Sequence, residues 1–241
     1  MTHQLTIELG DKDSLEWAQT MVERHHYLRH RVDARARPMA YVIRHDGRRK
    51  GLIILGIPHA TRCQGWWGYP GLPTQWQVVD LARIWLDPDL QAGGFWCEPG
   101  VVPGYIDRKG TFRATVATWA IGEVLQRVQR DRVALWPPVY PSEPYHIELA
   151  LSYSDPKFHK GTIYKQAHAV PMYVRNGEPV PGPSGKFGWA WHLGRPAWEW
   201  DELSDIKPRT MRLIRSPNRY ALSTHTINQD ARSMLPALTA T

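Results

Sequence analysis

The chain is predicted to fold as an α/β (α+β) protein, because segments with strand and helix periodicity alternate along much of its 241 residues. Residues 4–8 alternate polar and apolar side chains, as a half-buried strand does. Apolar residues then recur at helical spacing from Asp13 to His25, and again from about Thr111 to Arg130. Hydrophobic residues make up 42% of the chain, which is enough for an ordinary core. We therefore expect a central mixed sheet flanked by helices.

The remaining elements follow from turn signals and apolar runs. Asp13, with Glu16 three residues later, is predicted to cap the first helix. The dipeptide Asp46-Gly47 is a strong hairpin signal between two apolar runs. The predicted strands after the first are Ala40–Arg44, Leu52–Ile57, Val78–Asp87, Val133–Trp136, Ile147–Leu151 and Ala169–Val174.

Charge and composition restrict the class of partner. The formal net charge is +7 and the pI about 9.5, so an acidic partner is expected. No apolar run approaches the ~20 residues of a spanning helix, and no membrane partner is expected. The N-terminus lacks the plan of a signal peptide, and two cysteines, Cys63 and Cys97, make no disulfide framework. A cytoplasmic location is therefore predicted.

Tryptophan, proline and glycine cluster in segments without periodicity. Residues 61–77 contain Trp66 and Trp67 and are either a loop folded on its own aromatics or a stacking platform beside a DNA base. We predict a domain at 1–175 with inserted loops at about 58–77 and 90–110, and a Trp-rich, basic extension at 176–241. The extension is either an arm packed by its tryptophans or an arm that contacts DNA through Arg209, Arg212 and Arg215.

A basic run lies between Arg24 and Lys50, with nine arginines and lysines. Such a run is usually a solvated face, but phosphate contacts need the same residues. The members predicted to contact DNA are Arg29, Arg31, Arg35 and Arg37.

The stretch Ser152–Gln166 follows an apolar strand and combines polar groups with turn residues. It holds a carboxylate before a proline (Asp155-Pro156), then His159, Gly161 and Tyr164. Loops at the ends of strands are where α/β scaffolds often place chemistry. The alternative is an Asx-type turn with Tyr164 packed on the sheet.

The sequence SYSDP at 152–156, with His159 and GTIYKQA at 161–167, resembles the phage Mom family of DNA adenine-modification enzymes. His26-Tyr27 resembles the His-Tyr pair of that family, and Asp80–Arg83 its LxR strand. Family members usually carry Gly-His where this chain has Phe158-His159, and the loop is one residue shorter here. The resemblance covers about residues 5–175. It implies a GNAT-like fold and conversion of adenine to N6-carbamoylmethyladenine, which shields phage DNA from restriction.

The resemblance implies that His26, Tyr27, Asp155 and Tyr164 act in catalysis, and we expect these four to line one pocket. It also implies that these four bind an iron ion, and imidazole, carboxylate and phenolate are acceptable iron ligands. A metal-free account is equally open, in which Asp155 orients the amine, Tyr164 donates a proton and His26 accepts one.

Four residues are predicted to contact the group donor: Arg83, Gly110, Thr111 and Ser154. Gly110-Thr111 would present free N–H groups at a helix start. Arg83 would reach a phosphate or carboxylate of the donor, or else pair with Asp80 or Asp87. The pyrophosphate-loop pattern of acetyltransferases is absent here, so the identity of the donor stays open: a CoA thioester, another glycine-derived activated group, or a donor outside these two classes.

The predicted function is modification of adenine in double-stranded DNA. Two alternatives stay open, a small-molecule N-acyltransferase of GNAT type and a non-catalytic DNA-binding protein. The first does not need a basic surface, and the second does not need a converged set of catalytic side chains.

Overall fold

The computed structural model describes residues 4–58, 77–91, 102, 104–106, 108–110, 112–135, 147–182 and 184–193. The helices are α1 Lys12–His25, α2 Val116–Leu135 and α3 Thr162–Gln166. The strands are β1 Leu5–Leu9, β2 Met39–His45, β3 Arg48–Gly56, β4 Val78–Leu86, β5 Gly104–Ile106, β6 Phe112–Ala114, β7 Leu149–Ser154, β8 Val170–Pro171, β9 Val174–Arg175, β10 Glu178–Pro179 and β11 Phe187–His192.

Seven of the described strands form one sheet in the order β1-β2-β3-β4-β7-β11-β8. The pairs β1–β2, β2–β3, β7–β11 and β11–β8 are all antiparallel. The predicted α/β fold class, with a large central sheet and accompanying helices, is confirmed. Among the described segments, no helix combines the length and apolar character that a membrane span requires.

The described residues divide into two compact units. The first lies within Met1–Gly56 and Leu81–Val124, and the second within Ile57–Asp80 and Leu125–Thr241. The predicted boundary between a domain at 1–175 and an extension at 176–241 stays a prediction, and β11 falls within the predicted extension.

The first unit is built on the β2–β3 hairpin. Its turn residues Asp46 and Gly47 have φ of 49° and 77°, the left-handed pair that a two-residue turn requires, so the predicted hairpin is confirmed. Ala18 and Val22 of α1 pack in a buried cluster with Val32, Ala40, Leu52 and Ile54.

Helix α1 is capped differently from the prediction. Asp11, not Asp13, is the N-cap, and its carboxylate accepts the Ser14 N–H at 2.8 Å. Both aspartates suit an N-terminus, but the chain already turns helical at Lys12, so Asp13 lies in the first turn.

The second unit is centred on β7 and β11, which pair from Leu149↔His192 to Ser154↔Phe187. The side chains of Trp189 and Trp191, two residues apart on β11, are fully buried. The apolar strand predicted at Ile147–Leu151 is present with its bounds moved to Leu149–Ser154.

Three further predicted elements differ from the structure. Helix α2 begins at Val116 instead of Thr111, because Phe112–Ala114 pairs with Gly104–Ile106 as a hairpin. The strand predicted at Val133–Trp136 is wrong for Val133–Leu135, where the helical spacing of apolar residues continues, and Trp136 lies outside the described residues. The segment Ala169–Val174 is not one strand, since β8 ends at Pro171, which has no N–H to donate.

Candidate functional site

The turn after β7, residues 155–161, begins with a carboxylate that bonds its own backbone. The Asp155 Oδ1 accepts the Lys157 N–H at 2.9 Å. The Asp155 carbonyl accepts the N–H groups of Phe158 at 3.0 Å and His159 at 2.8 Å. These bonds make the Asx-type turn that the sequence offered as one alternative. The carboxylate of Asp155 therefore has a structural use, whatever chemistry it supports.

Trp189 supports this turn from β11. Its indole Nε1–H donates to the Ser154 Oγ at 3.0 Å, in a buried environment. Gly161, at φ 74°, lies against the same ring, and a Cβ added there would be 2.0 Å from the Trp189 Cζ2. A glycine is required at this position for both reasons. The Ser154 hydroxyl, predicted to contact a donor, is buried, and its oxygen accepts this hydrogen bond.

Tyr164 is packed between two tryptophans. Its ring centroid lies 5.9 Å from that of Trp189, in a stacked arrangement, and 5.9 Å from that of Trp191, edge to face. Trp191 is itself anchored, because its Nε1–H donates to the Ala167 carbonyl at 2.8 Å. Tyr164 is only 6% exposed, so the alternative of a tyrosine packed on the sheet also holds.

Sequence reasoning missed the two tryptophans as the support of this site. The signal was present in Phe187, Trp189 and Trp191, whose spacing of two residues is typical of a strand with one aromatic face. It was overlooked because the segment lies among glycines and prolines and pairs with a strand 33 to 43 positions earlier.

The exposed part of the turn carries the titratable groups. Asp155 is partly exposed, and His159 is exposed at the turn's surface. Partial desolvation lowers the pKa of His159, and the nearby Asp155 carboxylate opposes this shift without cancelling it. The shift favours the neutral imidazole of His159.

The other predicted pair, His26-Tyr27, ends helix α1 in the first unit. The His26 N–H donates to the Val22 carbonyl at 3.0 Å, and its Nδ1 accepts the Leu28 N–H at 3.2 Å. The proton of the neutral ring is therefore on Nε2. The ring stacks on Tyr27 with centroids 4.4 Å apart. Of the two adjacent histidines only His26 is buried, at 8% exposed, as the helix geometry predicts.

The predicted catalytic residues thus fall into two pairs. His26 and Tyr27 lie in the first unit, and Asp155 and Tyr164 lie in the second. Each pair is locally ordered by hydrogen bonds or ring contacts, and their convergence in one pocket stays a prediction. Within the part of the chain that the structure describes, no three His, Cys, Asp or Glu side chains form a group that could hold a metal ion. Two of the four implied iron ligands are tyrosines, which are not among these side-chain types, so the implied iron site stays a prediction.

The predicted donor contacts have different outcomes. Gly110, at φ 76°, lies in the turn between β5 and β6 and not at a helix start, so the reason given for anion binding there is wrong. Thr111 lies outside the described residues. Arg83, on β4, donates to the Ala82 carbonyl at 2.7 Å and to the His30 carbonyl at 3.5 Å. Asp87, one of its proposed partners, pairs with Lys50 at 3.0 Å.

Arg31 and Arg35, two of the arginines in the basic run predicted to contact DNA, form ion pairs. Arg31 lies 2.7 Å from Glu16 and 3.1 Å from Glu23, and Arg35 lies 2.6 Å from Asp33. These carboxylates, as hydrogen-bond acceptors first and as charges second, raise the pKa of both guanidinium groups.

The remaining predicted DNA contacts are less defined by the structure. Arg29 and Arg37 are exposed, with φ of 48° and 46°. The other predicted contacts, Trp66, Trp67, Arg209, Arg212 and Arg215, lie outside the described residues.

No protein-family model and no curated protein matches the chain. Solved structures similar to it include aminoglycoside N-acetyltransferase AAC(6')-Ib11, at 13% identity and a TM-score of 0.39, covering 78% of this chain and 96% of that one. A GNAT family acetyltransferase from Elizabethkingia anophelis with acetyl-CoA bound matches at 11% identity and 0.36, covering 79% and 99%. The AHL synthase LasI matches at 11% and 0.38, covering 78% and 87%. Similarity at TM-scores below 0.5 does not indicate the activity of this chain.

Proposed function

We propose that the chain is a group transferase of GNAT-like fold that modifies the N6 amine of adenine in DNA. The product would be N6-carbamoylmethyladenine, as the resemblance to the Mom family implies. The observation that supports this most is the stretch 152–167, which carries the resemblance. It folds as one built element, with Asp155 at the end of β7 and Gly161 and Tyr164 fixed on Trp189.

The proposed reaction needs catalytic groups of the kind that the stretch 152–167 supplies. The N6 lone pair of adenine is delocalised into the ring and is tied up by pairing inside a duplex, so an enzyme must extrude the base before it reacts. In the metal-free account Asp155 orients the amine and Tyr164 donates a proton to the leaving group. The predicted proton acceptor, His26, lies in the first unit with its Nδ1 accepting the Leu28 N–H, so its part in the reaction stays a prediction. The tight packing of Tyr164 would hold its ring in one orientation without cost during the reaction.

A second candidate is a small-molecule N-acyltransferase that uses a CoA thioester. The names of the similar solved structures agree with this candidate better than with a DNA acceptor, since they include an aminoglycoside N-acetyltransferase and a GNAT enzyme with acetyl-CoA. The net charge of +7 and the stretch 152–167 agree better with DNA. The low TM-scores leave the choice to experiment.

The test is expression in bacteria followed by digestion of cellular DNA to nucleosides and mass spectrometry. The informative variant is Asp155→Asn, because asparagine keeps the side-chain oxygen that accepts the Lys157 N–H while it removes the carboxylate charge. The matched control is Asp13→Asn, an exposed aspartate of α1. We expect a deoxyadenosine heavier by the carbamoylmethyl group in the wild type and in Asp13→Asn, and its loss in Asp155→Asn.

Two other results would change the proposal. A different added mass on deoxyadenosine would keep DNA as the acceptor and change the donor. Unmodified DNA, together with release of free CoA thiol from acetyl-CoA when the purified protein meets an aminoglycoside, would support the second candidate instead.

A further inference from the structure

Phe158 is the most exposed large hydrophobic side chain of the described residues, at 59% exposed. Tyr173, at 38%, is the other one. A single exposed apolar side chain is common and indicates nothing by itself. The setting of Phe158 is what distinguishes it from Tyr173.

The main chain at Phe158 is held by the turn. Its N–H donates to the Asp155 carbonyl at 3.0 Å, and the flanking Lys157 and His159 N–H groups also bond Asp155. The ring is therefore presented to solvent from an ordered turn that begins directly after β7. Binding of a partner to this ring would order little additional protein backbone, so the entropic cost of binding would be small.

Lysines flank Phe158 in the chain. Lys157 and Lys160 lie on either side of it in the chain, and Lys165 follows on α3, all three exposed. Residues 155–165 hold three lysines and one aspartate, a net charge of +2. Among the described residues, no carboxylate pairs with Lys157 or Lys160, in contrast to Arg31 and Arg35.

We propose that Phe158 stacks on an unpaired base of DNA beside the target adenine, with Lys157 and Lys160 on the flanking phosphates. An aromatic face between cations is the arrangement that binds single-stranded nucleic acid, because every base has a π-face and every linkage a negative charge. The choice of DNA as the occupant rests on the proposed function. The place of Phe158, three residues after Asp155, would put the stacked base next to the base that reacts.

The test is the affinity of the purified protein for a fluorescein-labelled single-stranded oligodeoxynucleotide, measured by anisotropy. The variants are Phe158→Ala and Phe158→Tyr, and Tyr173→Ala is the matched control, an exposed aromatic of the same unit. We expect Phe158→Ala to weaken binding roughly 5- to 150-fold, the range for loss of one base stack. Phe158→Tyr keeps the aromatic face and should bind as the wild type does, and Tyr173→Ala should bind unchanged.

A second measurement tests the lysines. The double variant Lys157→Ala/Lys160→Ala should lower the slope of log affinity against log salt by about 1.4, since each phosphate contact to a single strand contributes about 0.7. Because all three side chains are exposed, these variants should keep the unfolding midpoint of the wild type, which circular dichroism checks.

Three results would overturn the inference. The first is no binding of the oligonucleotide by the wild type, and the second is equal weakening by Phe158→Ala and Tyr173→Ala. The third is that Phe158→Ala weakens the binding of CoA and leaves the binding of the oligonucleotide unchanged. The adenine and phosphates of CoA are the alternative ligand for this surface. Failure of the proposed function would instead be seen as unmodified nucleosides, with the stacking results intact.

Discussion

Two basic loops of the molecule are held in shape by different means. The first basic loop, residues 26–37, ends α1 and carries Arg29, Arg31, Arg35 and Arg37. The second is the turn after β7, residues 155–161, which carries Lys157 and Lys160. The sequence identified the first as part of a basic run, and the second as a polar turn that carries predicted catalytic residues.

The first basic loop is fixed largely by polar side chains and by its own arginines. Gln19 of α1 donates to the Val32 carbonyl at 3.0 Å and accepts the Val32 N–H at 2.9 Å. Arg31 bridges back to Glu16 and Glu23 on the same helix. The charge of Arg31 is therefore partly balanced within the protein.

The turn after β7 is fixed by contacts that leave its lysines out. Asp155 bonds the backbone, and Ser154 and Gly161 contact the buried ring of Trp189. The comparison teaches that a count of basic residues does not measure the charge offered to a partner. What matters is whether the basic side chains themselves hold the loop in shape or other groups do.

The largest effect should come from Gly161→Ala, which disrupts the packing of the turn after β7 on the Trp189 ring. A Cβ would be 2.0 Å from the Trp189 ring, and φ of 74° is costly for alanine. We expect a loss of about 2–5 kcal/mol in the free energy of unfolding, from strain plus overpacking. Gly177→Ala is the matched control, at φ 84° with nothing within 4 Å of its Cβ. It should lose only about 1–2 kcal/mol in the same denaturant titration.

The next effect should come from Gln19→Ala, which removes the neutral support of the first basic loop. The buried N–H and carbonyl of Val32 would both lose their partner. We expect a loss of about 1–3 kcal/mol in unfolding free energy. Gln126→Ala, at an exposed position of α2, is the control and should change stability little. Equal stability of the two variants would contradict the role given to Gln19.

A smaller effect should come from Arg31→Ala, which removes the ion pairs to Glu16 and Glu23. Exposed ion pairs are screened by salt, so the denaturation midpoint should fall slightly at low ionic strength and match the wild type at about 1 M salt. Arg48→Ala, another exposed arginine of the first unit, serves as the control. A loss that persists at high salt would mean that the arginine acts through packing.

The smallest effect should be a change in how the free energy of unfolding depends on pH in the acid range. The hydrogen bond from Arg31, aided by its charge, lowers the pKa of Glu16 below its ordinary 4.5. The stability that this pair contributes should be complete above about pH 4.5 and be lost as the pH falls through the lower folded value. The unfolding free energies of wild type and Glu16→Gln should therefore converge below pH 4.5. In an Arg31→Ala background the Glu16→Gln change should make little difference at any pH.

The parts of the fold that the sequence predicted depend on residues close in the chain. Asp46-Gly47 identified the hairpin, apolar spacing identified α1, and the sequence around Asp155 allowed the Asx-type turn. Each signal is local, so its physical cause is visible without the tertiary structure.

The parts that it did not predict depend on distant partners. No residue next to Arg31 in the chain indicates its ion pair with Glu16, which is 15 positions away. No residue next to Ser154 indicates its hydrogen bond with Trp189, which is 35 positions away. The start of α2 was misplaced for the same reason, since Phe112–Ala114 is a strand only because β5 pairs with it.

The central claim is that the turn after β7 meets DNA through Lys157 and Lys160, which pair with no carboxylate among the described residues. The most direct test is the salt dependence of affinity for double-stranded DNA, measured for the wild type and for two double variants, Lys157→Ala/Lys160→Ala and Arg31→Ala/Arg35→Ala. The account predicts that the lysine variant loses about 1.8 from the slope of log affinity against log salt, at about 0.9 for each phosphate contact, and that the arginine variant loses less. A slope lost in the arginine variant and kept in the lysine variant would contradict it.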